Sequence, residues 1–385
     1  MIEDWRNGGF GLYLHWPFCA SKCPYCDFNS HVSAEIDESR WNRAFLSEIE
    51  RVGKLTEGRI LNSVFFGGGT PSLMSPDLVN SILDKVRNTW TLANDVEITL
   101  EANPTSIEAG RFRGYSEAGV NRVSMGMQAL NDQDLRALGR RHTVAEGRKA
   151  FDIARAQFDR VSFDLIYARQ DQDIEHWRKE LNEALAMAVD HFSLYQLTIE
   201  DGTAFGARHA VGKLRGLPTD DTAADMYLVT QEICEAAGLP AYEVSNHAHA
   251  GAESRHNLVY WRYGDYAGIG PGAHGRLSMN GTRHATDTPK MPNDWLDRVE
   301  RHGAGEIEFS PLPLEDQAIE YLLFNLRLTE GLDTARFEAM SGKAFNRQTV
   351  QDLIGMGMIQ AEQGRISATR DGRAVLNAVI RELMP

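Results

Sequence analysis

Residues 13–28 read YLHWPFCASKCPYCDF and contain three of the four cysteines in this 385-residue chain. Cys19, Cys23 and Cys26 have the spacing C-x3-C-x2-C, on a predicted loop that follows a short apolar strand. Three thiolates on one tight loop can converge on a soft metal centre. A cubane iron–sulfur cluster held by only three cysteines has one iron without a protein ligand, and that iron is open for chemistry.

The same loop has two other readings. A structural zinc site could combine the three cysteines with His15 or His31, because zinc takes four sulfur or nitrogen ligands. Disulfides suit the loop less well, since three clustered cysteines leave one thiol over. The spacing therefore favours an iron–sulfur cluster, with zinc as the alternative.

Strand and helix patterns alternate about six times over roughly the first 200 residues. After a first strand near the start of the chain, short apolar runs typical of buried parallel strands cover 60–66, 96–101, 122–127, 160–166 and 191–198. Helical patterns cover 35–55, 76–86, 107–118, 143–156 and 174–188. The alternation predicts an α/β fold with a parallel sheet, either an open doubly wound sheet or a partial barrel.

Polar residues lie at the carboxyl ends of these strands. The run GGGTP occupies 67–71, and Glu101, Gln128 and Asp164 end the next three strands. In barrels that edge of the sheet carries the chemistry. Glycine lets a backbone approach a ligand closely, and a carboxylate such as Glu101 can accept hydrogen bonds from a ligand or serve only as an ion-pair partner.

The remainder of the chain predicts further units. A helix is expected at 219–237 and another at 295–302, whereas 242–281 is rich in Gly, His and aromatic residues and has no clear pattern. A linker is expected at 309–313, followed by helices and a hairpin that resemble a winged helix: 315–328, 334–340, 348–355, 358–367 and 371–383. These patterns divide the chain into 1–218, 219–308 and 309–385.

Composition narrows the function classes. The net charge is −14, from 40 basic and 54 acidic residues, which argues against a general nucleic-acid binder. No apolar run approaches the roughly 18 residues of a membrane span, and the first residues do not resemble a secretory signal. Reduced cysteines fit a reducing compartment, so a cytoplasmic protein is expected.

The cysteine loop, with Tyr25 just before its last cysteine, resembles the radical S-adenosylmethionine (SAM) superfamily. The resemblance implies a [4Fe–4S] cluster on the three cysteines, with the open iron chelated by the amino and carboxylate groups of SAM. In that superfamily, an electron from the cluster breaks a carbon–sulfur bond of SAM to give a 5'-deoxyadenosyl radical. It also implies a partial (β/α)6 barrel rather than an open sheet.

The resemblance extends to the residues that would bind SAM. The GGGTP run is similar to the glycine motif whose backbone holds the amino group of SAM. Arg140 would pair with the SAM carboxylate, with the adjacent Arg141 as the competing choice. Tyr13 would lie near the cluster and SAM, or else belong to the core. The implied SAM contacts are Gly68, Gly69, Thr70, Glu101, Gln128, Arg140 and Asp164.

Landmarks along the whole chain are similar to one branch of the superfamily. YLHWPFC, CPYCDF, FFGGGTPS, EANP, HNLVYW and YAGIGPGAHG resemble the oxygen-independent coproporphyrinogen III oxidase-like group, and within it the heme chaperone family. The decarboxylases of that group carry a further cysteine two residues after the last cluster ligand, where this chain has Phe28, and a longer N-terminal segment. Both departures favour the chaperone, with decarboxylation of coproporphyrinogen III as the alternative.

The HNLVYW run matches a motif that the chaperone family associates with heme, so His256 is the expected heme ligand. The alternatives are a structural role for His256, or ligation by His247, His249 or His274. The resemblance implies three cofactors, namely a [4Fe–4S] cluster, SAM and heme. It also implies heme-accepting proteins and an electron donor as partners, and a homodimer is considered. The sequence leaves open whether SAM is turned over and whether a second SAM binds.

One stretch departs from the family pattern. Relatives follow the DLIY strand with a Gly-Leu-Pro-Gly-Gln-like turn, whereas this chain has Ala-Arg-Gln-Asp-Gln at 168–172. The path of the loop after Asp164 is therefore not given by the resemblance, although Asp164 itself is in place.

Overall fold

The computed structural model describes residues 3–105, 109–187 and 190–384. Its strands are β1 (Phe10–Trp16), β2 (Phe18–Cys19), β3 (His31–Val32), β4 (Ile60–Gly68), β5 (Thr91–Ala102), β6 (Arg122–Gln128), β7 (Arg160–Tyr167), β8 (His191–Gln196), β9 (Asn246–Ala248), β10 (Asp265–Ile269), β11 (His274–Met279), β12 (Thr282–Asp287), β13 (Glu308–Pro311), β14 (Leu332–Asp333), β15 (Ile359–Glu362) and β16 (Arg365–Ala368).

The helices lie between and after these strands. They are α1 (Glu38–Leu55), α2 (Pro76–Thr89), α3 (Phe112–Ala118), α4 (Asp132–Ala137), α5 (Val144–Gln157), α6 (Ile174–Leu185), α7 (Ala204–Ala210), α8 (Asp220–Ala236), α9 (Arg255–Trp261), α10 (Pro292–His302), α11 (Leu314–Asn325), α12 (Thr334–Ser341), α13 (Arg347–Gly355), α14 (Arg370–Ala374) and α15 (Leu376–Leu383). The predicted helix start at 107 and helix end at 188 lie outside the described residues.

The main sheet has the order β13-β12-β11-β10-β1-β4-β5-β6-β7-β8-β9. From β1 to β8 the neighbours are parallel and follow chain order, with helices in the connections. Side chains from all six strands line one interior cavity, which places them around a common axis: Tyr13, Phe65, Glu101, Ser124, Asp164 and Ser193. The predicted partial (β/α)6 barrel is confirmed.

The predicted extension adds strands to the same sheet. β10 pairs in parallel with β1, and β11, β12 and β13 continue the sheet in antiparallel order. Helix α10 covers this side of the barrel, where Trp295 stacks on Trp41 of α1 with ring centroids 5.5 Å apart. Both rings are fully buried, so this stack carries much of the packing between the two segments.

The predicted linker at 309–313 is wrong, because most of it belongs to β13. Phe309 and Ser310 pair with Thr286 and Ala285 of β12. Pro311 is the last residue of β13, which is the outermost strand of the sheet. A proline without an N–H is tolerated at such an edge, and the two prolines of the run had suggested a linker instead.

The C-terminal region has its own core and its own small sheet. β14, β16 and β15 form three antiparallel strands, with the predicted hairpin turning at Gln363 and Gly364. A separate cluster of buried side chains packs the helices α11, α12, α13 and α15 against these strands. The winged-helix-like arrangement is confirmed, and the domain boundaries at 218 and 308 stay a prediction.

No helix in the described ranges is both long enough and apolar enough to cross a membrane.

The glycine run after β4 is bonded to the start of the cysteine loop. The N–H of Gly69 donates to the carbonyl of Trp16 (2.7 Å), and the N–H of Thr70 donates to that of Phe18 (2.8 Å). Gly68 has a φ of +108°, and a Cβ built on it would lie 2.5 Å from the His15 ring. Positive φ and close contact both require glycine at this position.

We expect Gly68→Ala to destabilise the protein more than Gly58→Ala does. Gly58 has a φ of +77° and open space around a built Cβ, so alanine there costs only the backbone strain, about 1 kcal/mol. At Gly68 the methyl group also displaces His15, which adds about 1–3 kcal/mol. Urea unfolding of both variants measures the difference, and equal losses would contradict the proposed collision.

Candidate functional site

Most of the predicted site residues surround one cavity at the carboxyl ends of the barrel strands. Its volume is about 160 Å³. The residues on its wall include Cys19, Cys23, Cys26, Gly68, Gly69, Thr70, Glu101, Gln128, Arg140 and Asp164. Tyr13 and His256 lie on a different cavity, described below. We call the first one the cysteine cavity.

Hydrogen-bond donors point at two of the three thiols. The Thr70 hydroxyl donates to Cys19 Sγ at 3.3 Å, and Arg140 Nη1 donates to Cys23 Sγ at 3.4 Å. Donors favour the thiolate form, which is the form that binds metals. At Cys19 burial is the larger effect and raises the pKa of the thiol, which the hydrogen bond from Thr70 partly offsets. In residues 3–105, 109–187 and 190–384, no three His, Cys, Asp or Glu side chains converge on a position where they could hold a single metal ion. This result argues against a mononuclear zinc site; in a [4Fe–4S] cluster each cysteine binds a different iron, so its thiols need not converge on one ion.

The two histidines considered for a zinc site are already engaged. His15 contacts the Asn29 carbonyl through Nε2 (2.9 Å) and the Tyr13 hydroxyl through Nδ1 (3.1 Å). His31 Nε2 contacts Asn29 Oδ1 at 3.1 Å. Burial lowers the pKa of His15 to about 4, so its ring is neutral. These contacts favour structural roles for both imidazoles.

Arg140 and Arg141 differ in their surroundings. Both arginines line the cysteine cavity. Arg140 is half-buried there, and its Nη2 donates to the Gly126 carbonyl at 2.9 Å and also to Asn103. Its Nε is buried and has no hydrogen-bond partner within the described part of the chain. Arg141 is exposed and reaches the Ala20 carbonyl at 3.5 Å. Arg140 therefore keeps a donor available for an anionic ligand, which is the geometry that a carboxylate needs.

Two carboxyl groups face each other in the barrel mouth. Withdrawal from water raises the pKa of Glu101 to about 8, and repulsion from Asp164 adds to the increase. Burial raises the pKa of Asp164 to about 6, opposed by hydrogen bonds from Ser193 and Ser124 and by the charge of Arg122. A positively charged ligand would stabilise the ionised forms of these two carboxyl groups.

Gln128 reaches the cavity through an irregular strand end. Its φ is +69°, uncommon for a residue with a side chain, and the register of β6 against β7 shifts between Met125 and Gln128. Such irregularities redirect side chains next to functional sites.

Tyr13 and His256 line the interior cavity, which has a volume of about 220 Å³ and shares Glu101 and Asp164 with the cysteine cavity. His256 lies on α9 and uses both ring nitrogens: Nδ1 contacts Ser63 Oγ and Nε2 contacts Tyr260 Oη, each at 2.9 Å. Its ring stacks on Phe65 at 4.7 Å. Burial lowers the pKa of His256 to about 3.

Sequence reasoning missed two polar residues of this region. Asn103 lies in the EANP run, donates to Thr70 Oγ1 at 3.1 Å and accepts from Arg140, so it links the glycine run to the arginine. Arg122 is buried inside the barrel, where it donates to Ser162 Oγ at 2.8 Å. A charged residue at the start of an apolar strand was the available signal for Arg122.

Comparison with known protein families and relatives agrees with this geometry. Residues 13–184 match the radical SAM superfamily, and residues 312–375 match the HemN C-terminal domain. The chain is 35% identical to the heme chaperone HemW of Escherichia coli K12 over 96% of both chains. It is also 37% identical to the mouse mitochondrial radical S-adenosyl methionine domain-containing protein 1, over 97% of this chain and 87% of that protein.

Among solved structures, the coproporphyrinogen III oxidase HemN of Escherichia coli superposes with a TM-score of 0.81. The alignment covers 99% of this chain and 92% of HemN at 21% identity, which shows a shared fold. Taken together, the fold, the cysteine cavity and the full-length relatives show that the chain belongs to the radical SAM superfamily, in the family of the heme chaperone HemW.

Proposed function

We propose that this protein is a heme chaperone that carries a [4Fe–4S] cluster, binds SAM beside it and transfers heme to acceptor proteins. The observation that carries the proposal is the identity to HemW across 96% of both chains. It is supported by Phe28, which is 62% exposed on the wall of the cysteine cavity, at the position where the decarboxylases place a cysteine.

The donor set of the cysteine cavity fits an iron–sulfur cluster. Cys19, Cys23 and Cys26 offer three thiols on one wall, and the nearby histidines are engaged elsewhere. Thiolates are the ligands that iron–sulfur clusters take in proteins. In the proposal these three residues hold the cluster, which supplies one-electron reducing power and an open iron.

The opposite wall fits SAM, a ligand with a sulfonium, an ammonium and a carboxylate. Arg140 has a donor available for the carboxylate, and Glu101 and Asp164 suit the positive groups. Gly68, Gly69, Thr70 and Gln128 also line the cavity, so the glycine run brings backbone to its wall. We assign these seven residues to SAM, with Tyr13 behind them in the interior cavity.

His256, the heme ligand expected from the motif, fits a structural role better. Both of its nitrogens are hydrogen-bonded, and ligation through Nε2 would require release of the Tyr260 hydroxyl. The motif would then support heme binding by shaping the barrel interior rather than by touching iron.

The proposal includes partners. Heme-accepting proteins receive the cargo, and an electron donor reduces the cluster. Thiolate ligands of a cluster require a reducing compartment, which supports the cytoplasm as the location. A homodimer is proposed as the oligomer to test by light scattering.

Replacing a cluster cysteine should abolish the cluster. After anaerobic reconstitution we expect about four irons and as many sulfides per chain in the parent protein, and a near-complete loss of both in Cys23→Ser. Cys234→Ala is the matched control, because Cys234 is buried in α8 away from the cavity. Iron and sulfide analysis decides the matter, and a single zinc without sulfide would contradict the cluster.

SAM affinity should increase with pH. Because a cationic ligand favours ionised Glu101, whose pKa is about 8 in the free protein, affinity rises from about pH 6 to about pH 9. Charged groups facing Glu101 are Asp164 and Arg122. In Glu101→Gln we expect weaker binding at high pH and a flatter profile, measured by equilibrium dialysis; an unchanged profile would refute the role of Glu101.

The same carboxyl links stability to pH. Folding raises the pKa of Glu101 from an ordinary 4.5. Its contribution to the free energy of unfolding is therefore complete at low pH and is lost as the pH rises towards about 8. Glu101→Gln should therefore raise the Tm of the cofactor-free protein at about pH 9 and leave it unchanged at about pH 4.

The parent protein should bind heme and should not decarboxylate coproporphyrinogen III. The reconstituted protein is titrated with heme by absorbance, and in parallel incubated with SAM, a reductant and coproporphyrinogen III. We expect saturable heme binding and no vinyl-bearing product. Formation of that product would show that the protein is an oxidase. Absence of saturable heme binding would contradict the proposed chaperone function.

A further inference from the structure

A third cavity lies between the cysteine loop and the turn that leads into β11, and we infer that it is the heme site, with His274 as the axial ligand. This inference rests on the proposed function and adds the location that it lacks. The cavity has a volume of about 350 Å³, and its lining includes Tyr13, His15, Phe28, Gly68, Glu101, Tyr260, Tyr266 and His274.

The walls of this heme cavity suit a flat aromatic macrocycle. Phe28, Tyr260 and Tyr266 contribute rings, and Tyr260 packs against Tyr266 with centroids 4.2 Å apart. Phe28 is 62% exposed and the His274 side chain is 60% exposed, so the cavity opens to solvent at both residues. Because the cavity is open, a ligand larger than the cavity can insert one edge and leave the rest in solvent. The aromatic side chains can then stack against the inserted part.

His274 differs from the other histidines on the three cavities in the state of its Nε2. His15, His142, His191 and His256 each use Nε2 in a hydrogen bond, respectively to Asn29, Met127, Tyr242 and Tyr260. Within the described residues, Nε2 of His274 has no such partner. Its Nδ1 lies 3.5 Å from Asp287 Oδ1. A carboxylate at one ring nitrogen orients an imidazole whose other nitrogen binds a metal.

The backbone around His274 is held rigidly against the cysteine loop. Gly270 and Gly272 on either side of Pro271 have φ values of +116° and +75°. Asn29 Nδ2 donates to the Pro271 carbonyl at 2.9 Å and to the Lys290 carbonyl at 2.8 Å. The imidazole therefore projects from the first residue of β11, directly after a turn that is hydrogen-bonded to the loop that carries the three cysteines.

The heme cavity and the cysteine cavity share walls. Phe28, Gly68 and Glu101 line both. Phe28 occupies the position at which the decarboxylases have a cysteine. Its ring lines both cavities, so in this inference it would pack against the macrocycle. Heme in this cavity would lie next to the proposed cluster and SAM positions.

The test is a heme titration of the reconstituted protein and four variants. For His274→Ala we expect the dissociation constant to rise about tenfold or more, with a shifted Soret band, since even residues that orient metal ligands are worth that much. Added imidazole should restore the parent spectrum to His274→Gly. His284→Ala on the neighbouring strand is the matched control and should bind as the parent does. Iron content and SAM affinity report whether each variant is intact.

Three outcomes would overturn the inference. Unchanged binding by His274→Ala, with loss in His256→Gln, would return the ligand to the HNLVYW motif and leave the chaperone function standing. Absence of saturable heme binding in the parent protein would remove both the heme site and the proposed function. Tight binding in every variant would show that no single histidine ligates the iron.

Discussion

Two backbone hydrogen bonds hold the candidate site together, from Gly69 to Trp16 and from Thr70 to Phe18. They extend the pairing of β1 and β4 beyond the ends of both strands, so the glycine run and the cysteine loop take fixed positions relative to each other. Side chains are excluded at this junction, since a Cβ on Gly69 would lie 2.7 Å from the Phe18 carbonyl oxygen. The close contact brings the glycine run and the three thiols to the wall of one small cavity.

Electrostatics gives the cavity two distinct sides. The arginine and threonine donors face sulfur, whereas Glu101 and Asp164 face the barrel interior with raised pKa values. Without a ligand, burial disfavours the ionised forms of both carboxyl groups. A ligand with separated positive and negative groups would meet both sides at once, which supports the proposal that SAM binds in this cavity.

Much of this was predictable from sequence, for identifiable reasons. Parallel strands end at one edge, so Glu101, Gln128 and Asp164 were expected to meet there, and they line one cavity. Most helix and strand spans up to residue 237 followed from periodicity, whereas the short helices α4 and α7 were not predicted. Long-range strand pairing was not predictable. The proline-containing β13 joins the sheet by pairing with β12, and the local sequence pattern does not indicate that pairing.

The loop at 168–172 and the HNLVYW motif show a second limit. Arg169 is buried and pairs with Asp134 and Glu180, each at 2.6 Å, which stabilises a loop that departs from the family pattern. His256 has the motif of a heme ligand but the contacts of a core residue. Motifs record which residues a family keeps, whereas the hydrogen bonds of a side chain decide whether it is available for a ligand.

Asn29 gives the arrangement a mechanical property. Its backbone carbonyl contacts His15, and its side-chain amide contacts His31, Pro271 and Lys290, so one residue joins the cysteine loop, β1 and the turn before β11. Displacement of the loop by the length of a hydrogen bond would break this junction and withdraw support from the imidazole beyond it. In the proposed function, displacement of the cysteine loop would therefore also weaken heme binding at His274.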